Sequence, residues 1–454
     1  MTGAPSLAKK VRLFAAVMLL ISSRYGRAQT NAEVDPGLQF HFSSPGARSL
    51  GMGGAFIGLA DDATAAYTNP AGLVILSKPE VSAEGQRSSY TNQFTDRGHA
   101  LGTPSGVGLD NVNGLVRGAS KDEVDALSFA SFVYPRGSWA VAVYRQDLAD
   151  FGASFKTQGA FVAFLRLLPT SDALSMQIVN EGVSGAFRVT DSLSIGIGLS
   201  EYHFNLRSLT NRYSLQDFYG PPDYAAQNVA AFETLSGSDD DVAVNAGLLW
   251  EISRSWRAGV VYREGPRFNF RTTSQAGPAS GFAGTVFANN RATFHVPDFY
   301  GAGIAYQPTE YWTISAEYDR IQYSELTRGS TDIYDPMSMP DPSIKQLVVN
   351  DANELHLGIE HVWTDQKYPL VQFPPALALR LGGWTDPDHS TRFVGAPDAH
   401  DIEAEFLSAL FLRGNNEIHV TGGLGLIFRK WELNIAYDYA KLVRVGSLSG
   451  VFRF

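Results

Sequence analysis

Cysteine is absent from the 454-residue chain, which excludes disulfides, thiolate nucleophiles and cysteine-held zinc. Charge is scarce too. Asp, Glu, Lys and Arg make up 18% of the residues, low for a soluble chain. What charge there is leans acidic, net −10, and argues against a general nucleic-acid binder. Long apolar runs are also missing. Leu13 to Ile21 spans nine residues, whereas a bilayer helix needs about 20. Catalytic signatures are lacking in the same way. There is no Gly-x-Ser-x-Gly elbow, P-loop or His-Glu-x-x-His. In Gly51-Met52-Gly53-Gly54-Ala55-Phe56, Phe56 stands where a dinucleotide fingerprint needs its third glycine. No enzymatic activity and no cofactor are expected.

What is abundant favours strands. The 28 Phe, 19 Tyr and 44 Gly suit strands and turns. A mean hydropathy of −0.10 is the average of strands apolar on one face and polar on the other. Alternating segments centre on 79–87, 126–134, 139–148, 177–188, 192–206, 241–252, 255–270, 291–307, 311–325, 351–363, 375–385, 417–428, 430–440 and 446–454. These are fourteen, an even number as in single-chain bacterial outer-membrane barrels. In 430–440, Trp431, Leu433, Ile435, Tyr437 and Tyr439 share one face, and Glu432, Asn434, Ala436 and Asp438 the other. Tight turns at 135–138, 190–191, 253–254, 308–310 and 429–430 alternate with long polar loops at 88–123, 149–176, 207–240, 271–290, 326–350 and 386–416. In such barrels the short turns are periplasmic. The predicted fold is an all-β, 14-stranded antiparallel transmembrane barrel over residues 76–454.

Residues 1–28 read as a signal peptide. Lys9, Lys10 and Arg12 precede the short apolar run, and Gly26 and Ala28 supply the small residues of a cleavage site. Residues 29–75 suit neither helix nor strand. The stretch Pro45 to Leu73 is rich in Gly and Ala and ends in Asn69-Pro70-Ala71-Gly72. Its glycines permit close backbone approach, and Pro70 biases Asn69 toward an extended conformation. The expectation is a plug of small residues inside the barrel.

This stretch resembles the N-terminal hatch, with its Asn-Pro-Ala signature, of the FadL/TodX-type outer-membrane transporters of hydrophobic compounds. Further likeness lies in Pro297 to Asp319, in Leu379 to Trp384 with Asp386-Pro387, and in His419 to Tyr439. The resemblance implies passive uptake of molecules such as long-chain fatty acids or aromatic hydrocarbons. Hatch movement would be followed by lateral release at a kinked third strand, here near Arg145, Gln146 and Asp147. FadL-like barrels also serve as shuttle components of type IX protein secretion, which is the alternative. The run Phe161-Val162-Ala163-Phe164-Leu165 has no counterpart and is expected to form an apolar helix or lid. The terminal Phe454 resembles the signal read by the barrel assembly machinery. The barrel is expected to be a monomer among lipopolysaccharide and outer-membrane lipids.

Candidate ligand-binding or gating residues are Asn69, Pro70 and Ala71, the apolar Phe56, Ile57 and Leu59 as lining of a pocket between plug and wall, and Arg263 and Arg380. Alternation turns both arginines inward, where each is available to a ligand carboxylate or to a neighbouring strand's acid such as Glu317 or Asp438. No specific metal site is expected. The loop with Asp386, Asp388, His389, Asp398, His400 and Asp401 reads as a solvated acidic surface, bridged to lipopolysaccharide by divalent cations.

Overall fold

The strand Trp312–Ile321 shows how the sequence sets the architecture. Trp312, Ile314 and Tyr318 face outward at 40%, 44% and 45% exposure, while Thr313, Ser315, Glu317 and Asp319 between them are buried. Apolar residues outside and polar residues inside is the arrangement of a barrel bathed in lipid.

The computed structural model describes residues 40–100, 102–162, 164–277, 286–328, 347–364, 376–394, 411 and 413–454. The expected signal peptide and the first part of the expected plug, up to 39, therefore lie outside the described residues, as do 395–401 of the acidic loop. The wall strands are β1 Glu80–His99, β2 Gly114–Arg136, β3 Trp139–Thr157, β4 Thr170–Arg188, β5 Leu193–Tyr213 and β6 Val229–Glu251. Next come β7 Trp256–Arg263, resuming as Arg267–Gly277, and β8 Val286–His295, resuming as Phe299–Thr309. Then follow β9 Trp312–Ile321, β10 Ala352–Trp363, β11 Ala376–Asp386, β12 Glu417–Ile427, β13 Trp431–Tyr439 and β14 Val443–Arg453. These fourteen antiparallel strands form a closed barrel. Closure is β1 against β14, from Glu80 opposite Arg453 to Tyr90 opposite Val443.

The number of strands agrees with the sequence pattern, but their length does not. The β1–β2 ladder continues to Gly98 opposite Leu115, β3–β4 to Thr157 opposite Thr170, and β5–β6 to Tyr213 opposite Val229. Most of the loops expected at 88–123, 149–176 and 207–240 is thus ladder. Beyond the lipid band the outward face turns polar and the apolar residues, such as Phe151, Ala153 and Phe155 of β3, face inward, so the apolar-out pattern breaks although the hydrogen bonding continues.

A second correction concerns the run at 161–165. It is neither a helix nor a free lid. Phe161–Val162 and Leu165–Arg166 form a minimal hairpin, with Ala163 outside the described residues. The Phe161 ring stacks on His99 and Tyr219. Arg166 lies over that ring and donates to the carbonyls of Phe218 and Gly220. The hairpin thereby ties three extracellular connections together.

Residues 40–76 fill the lumen. The segment holds α1 Ala47–Gly51, α2 Ala65–Thr68 and a 3₁₀ turn Pro70–Ile75. Irregular backbone at membrane depth is tolerated only when buried in protein that satisfies its polar groups. The inward-facing wall residues do this. Ser131 donates to the Ala63 carbonyl, Ser184 to Ala66, Asn245 to Tyr67 and Thr421 to Gly51. Glu84 and Ser449 accept from the amides of Gly46 and Ala47.

Candidate functional site

The contact between the lumen segment and the wall is the candidate site. Asn69 is wholly buried and works in two directions. Its Oδ1 accepts from the Ala71 amide at 3.2 Å, capping the 3₁₀ turn that Pro70 opens. Its Nδ2 donates to Ile57 O of the segment at 3.1 Å and to Leu248 O of β6 at 3.2 Å. The wall makes room for it with Gly247, where any Cβ would collide with Asn69 Oδ1.

Arg263 and Arg380 face inward as the alternation predicts, but neither stands free. Arg380 has no exposed surface. It donates to Glu360 at 2.6 Å, Asn434 at 2.7 Å and Glu432 at 3.3 Å. Acids of the adjacent β10 and of β13, one strand further on, thus hold it, though not the two anticipated. Glu360 also takes both Nε and Nη2 of Arg48 from the lumen segment, at 3.1 and 3.0 Å. Arg48 reaches Asp61 at 2.7 Å, which Arg257 of β7 meets at 3.3 Å. A chain of alternating charge therefore joins segment and wall, and removing one member would leave an uncompensated buried charge.

Arg263 has different partners. It donates to the carbonyls of Phe42 at 2.8 Å and Thr68 at 3.2 Å, with its guanidinium 4.3 and 4.2 Å from the ring centroids of Tyr67 and Phe299. Glu317, expected as its partner, accepts instead from the amides of Phe56 and Ile57, at 2.8 and 2.6 Å. Asp438 accepts from the Trp384 indole at 3.0 Å and faces His419.

A cavity of about 80 Å³ lies above the segment, lined among others by Phe40, Tyr90, Gln146, Trp384, His419 and Asp438. Phe56, Ile57 and Leu59 do not reach it. All three have no exposed surface and are packed against the wall. The tight fit of small residues removes the gap that the apolar pattern suggested.

His41 is the residue that the sequence alone did not single out. Desolvation pushes its imidazole down to about 4, so it is neutral. Its amide donates to Leu148 O at 2.7 Å, its carbonyl accepts from Gln146 at 3.2 Å, and its ring meets Tyr90 Oη at 3.0 Å. These contacts fall at an irregularity in β3. The β2–β3 ladder stops at Phe129 opposite Gln146. The β3–β4 ladder then shifts register between Asp147 and Ala149, leaving Leu148 as the extra residue. Nothing local in the sequence marks His41, because its partners sit 49 or more residues away.

The family described as outer membrane protein transport protein (OMPP1/FadL/TodX) matches residues 41–335. The chain belongs to this family. As a FadL/TodX member with a closed barrel it is an outer-membrane protein. It is 24% identical over 241 residues to a long-chain fatty acid transport protein of Escherichia coli O6:H1, a match spanning 49% of each chain. The solved FadL homologue of Pseudomonas aeruginosa shares the fold, with a TM-score of 0.63 at 14% identity, covering 91% of this chain and 99% of that one. So does the toluene transporter TodX of Pseudomonas putida, with 0.55 at 14% identity and the same coverages. A monoaromatic hydrocarbon channel, CymD, reaches 0.55 at 15% identity, covering 92% of this chain and 99% of its own.

Proposed function

We propose that this FadL/TodX barrel passively carries small hydrophobic molecules, such as long-chain fatty acids or aromatic hydrocarbons, across the outer membrane. The lumen segment is its hatch, and release is lateral, between β2 and β3. The observation that carries this reading is the end of the β2–β3 ladder at Phe129 and Gln146, beside a hatch whose His41 is bonded to the same place. An apolar solute gains nothing from a water-filled pore, since leaving an apolar environment costs about 25 cal/mol per Å². A side exit into lipid avoids that cost. Asn69, Pro70 and Ala71 belong to the hinge of the hatch in this reading, and Arg263 and Arg380 anchor the hatch and its surrounding wall rather than holding a ligand. The transport proteins named above lend the substrate class. A liposome assay tests it: barrels reconstituted as heat-modifiable monomers should pass an aromatic hydrocarbon or fatty acid and exclude sugars. Sugar flux equal to that of a general porin would sink the reading.

A further inference from the structure

Three donor groups from β9 and β10 meet behind the Gly53 turn of the hatch. His356 turns Nδ1 toward the Gly53 carbonyl at 2.7 Å. A carbonyl only accepts, so Nδ1 carries the proton. Nε2 then faces Glu354 Oε2 and Asp319 Oδ2, each 3.3 Å away. A nitrogen facing two carboxylate oxygens needs positive charge between them, either a metal ion on the Nε2 lone pair or a second proton on the ring. Asp319 is 1% exposed, and its Oδ1 receives no N–H or hydroxyl donor, its neighbour being the Glu317 carboxyl. One ligand atom from each residue falls within a group no more than 4.8 Å across.

These are the dimensions of a metal site. Tetrahedral zinc with bonds of about 2.0–2.1 Å sets neighbouring ligand atoms about 3.3 Å apart. A carbonyl holding the far ring nitrogen is also how ligating histidines are usually oriented. Glu317, on the same face as Asp319, is engaged by the amides of Phe56 and Ile57. Trp384 stacks on His356 with ring centroids 5.3 Å apart and covers the cluster on the cavity side. Beyond Trp384 the cavity carries Asp386 and Asp438, which offer a cation an acidic approach.

We propose that Asp319, Glu354 and His356 bind one divalent cation, Zn²⁺ fitting the donor set best, and that the ion fastens the Gly53 turn to the wall. The donors are spread over 38 positions (319 to 356) and none sits in a recognisable metal motif, so the sequence did not reveal them.

Barrel purified in detergent and stripped with chelator would be titrated with ZnCl₂, and the metal retained after desalting would be counted. One Zn²⁺ per chain is expected, and Co²⁺ in its place should give the visible absorption of a tetrahedral site. Asp319→Asn and His356→Gln, checked for folding by heat-modifiability, should weaken binding by more than the roughly 10–100-fold that follows loss of a group merely supporting a ligand. His389→Gln, in the nearby loop, should leave it unchanged. Hydrogen exchange at residues 52–57 should slow when Zn²⁺ is added. Absence of retained metal in the folded wild type would overturn the proposal and leave a protonated His356 as the bridging cation. Undiminished binding in Asp319→Asn would overturn it equally.

Discussion

Asn69 combines two roles that single substitutions can separate. Its oxygen caps the turn at Ala71, and its amide nitrogen joins Ile57 O to Leu248 O of the wall. Each group left buried without a partner costs about 1–3 kcal/mol. A hatch that rearranges on ligand binding has two arrangements separated by only a few kcal/mol, so this is enough to shift gating. The barrel ladders do not depend on Asn69. Asn69→Ala should therefore keep assembly and heat-modifiability and lower hydrophobic uptake several-fold at matched surface levels. Asn69→Asp retains the cap oxygen but loses both donated bonds. If wall anchoring matters, Asp will behave like Ala; uptake at the wild-type level in Asp alone would reduce Asn69 to a turn cap. The sequence showed which faces Arg263 and Arg380 take, because alternation decides that locally. It did not show their partners, since Glu360, Glu432 and Asn434 reach Arg380 only once β10, β11 and β13 are in register.

Strands were legible where one face meets lipid and illegible above it. In β2, the stretch Gly114 to Leu127 alternates between exposed and half-exposed residues, so burial leaves no strong pattern there. The irregularity in β3 is a parity change. Ala140, Ala142 and Tyr144 are the buried positions of its first half, and Phe151, Ala153 and Phe155 those of its second. Only an inserted residue, Leu148, allows even and odd positions to face the same lumen, because a one-residue slip otherwise exchanges the two faces. Deleting Leu148 should straighten β3 without turning Phe151 or Phe155 outward. It should let β3 pair with β2 beyond Gln146 and remove the carbonyl that holds His41. Folded barrels carrying the deletion should lose most hydrophobic uptake. Wild-type uptake in that variant would show that release does not pass between β2 and β3.

At the scale of the whole molecule, the outside is built for a bilayer and residues 40–76 fill the lumen among the described residues. Six of the seven tryptophans, Trp139, Trp250, Trp256, Trp312, Trp363 and Trp431, lie on the outer face at the short-turn end, each 37–49% exposed. They form one of the aromatic girdles that flank the apolar band. The seventh, Trp384, faces the lumen. Among the described residues, the cavity above the hatch, about 80 Å³, is smaller than the roughly 150 Å³ that accommodates benzene in a protein core. Neither an aromatic hydrocarbon nor a fatty acid fits it as it stands, so the proposed transport calls for the hatch to move. The absence of cysteine makes this directly testable. Ser449 Oγ of β14 lies 3.1 Å from the Ala47 amide of α1, and the pair Ala47→Cys with Ser449→Cys would introduce the chain's only disulfide, in an envelope where disulfides persist. Oxidised, this variant should assemble normally and transport hydrophobic compounds several-fold more slowly than the wild type. A reductant should restore the rate, while each single-cysteine variant should be indifferent to it. Equal uptake by the oxidised and reduced double variant would mean that α1 stays in place during transport, and the moving part would then have to be sought between His41 and the β2–β3 opening alone.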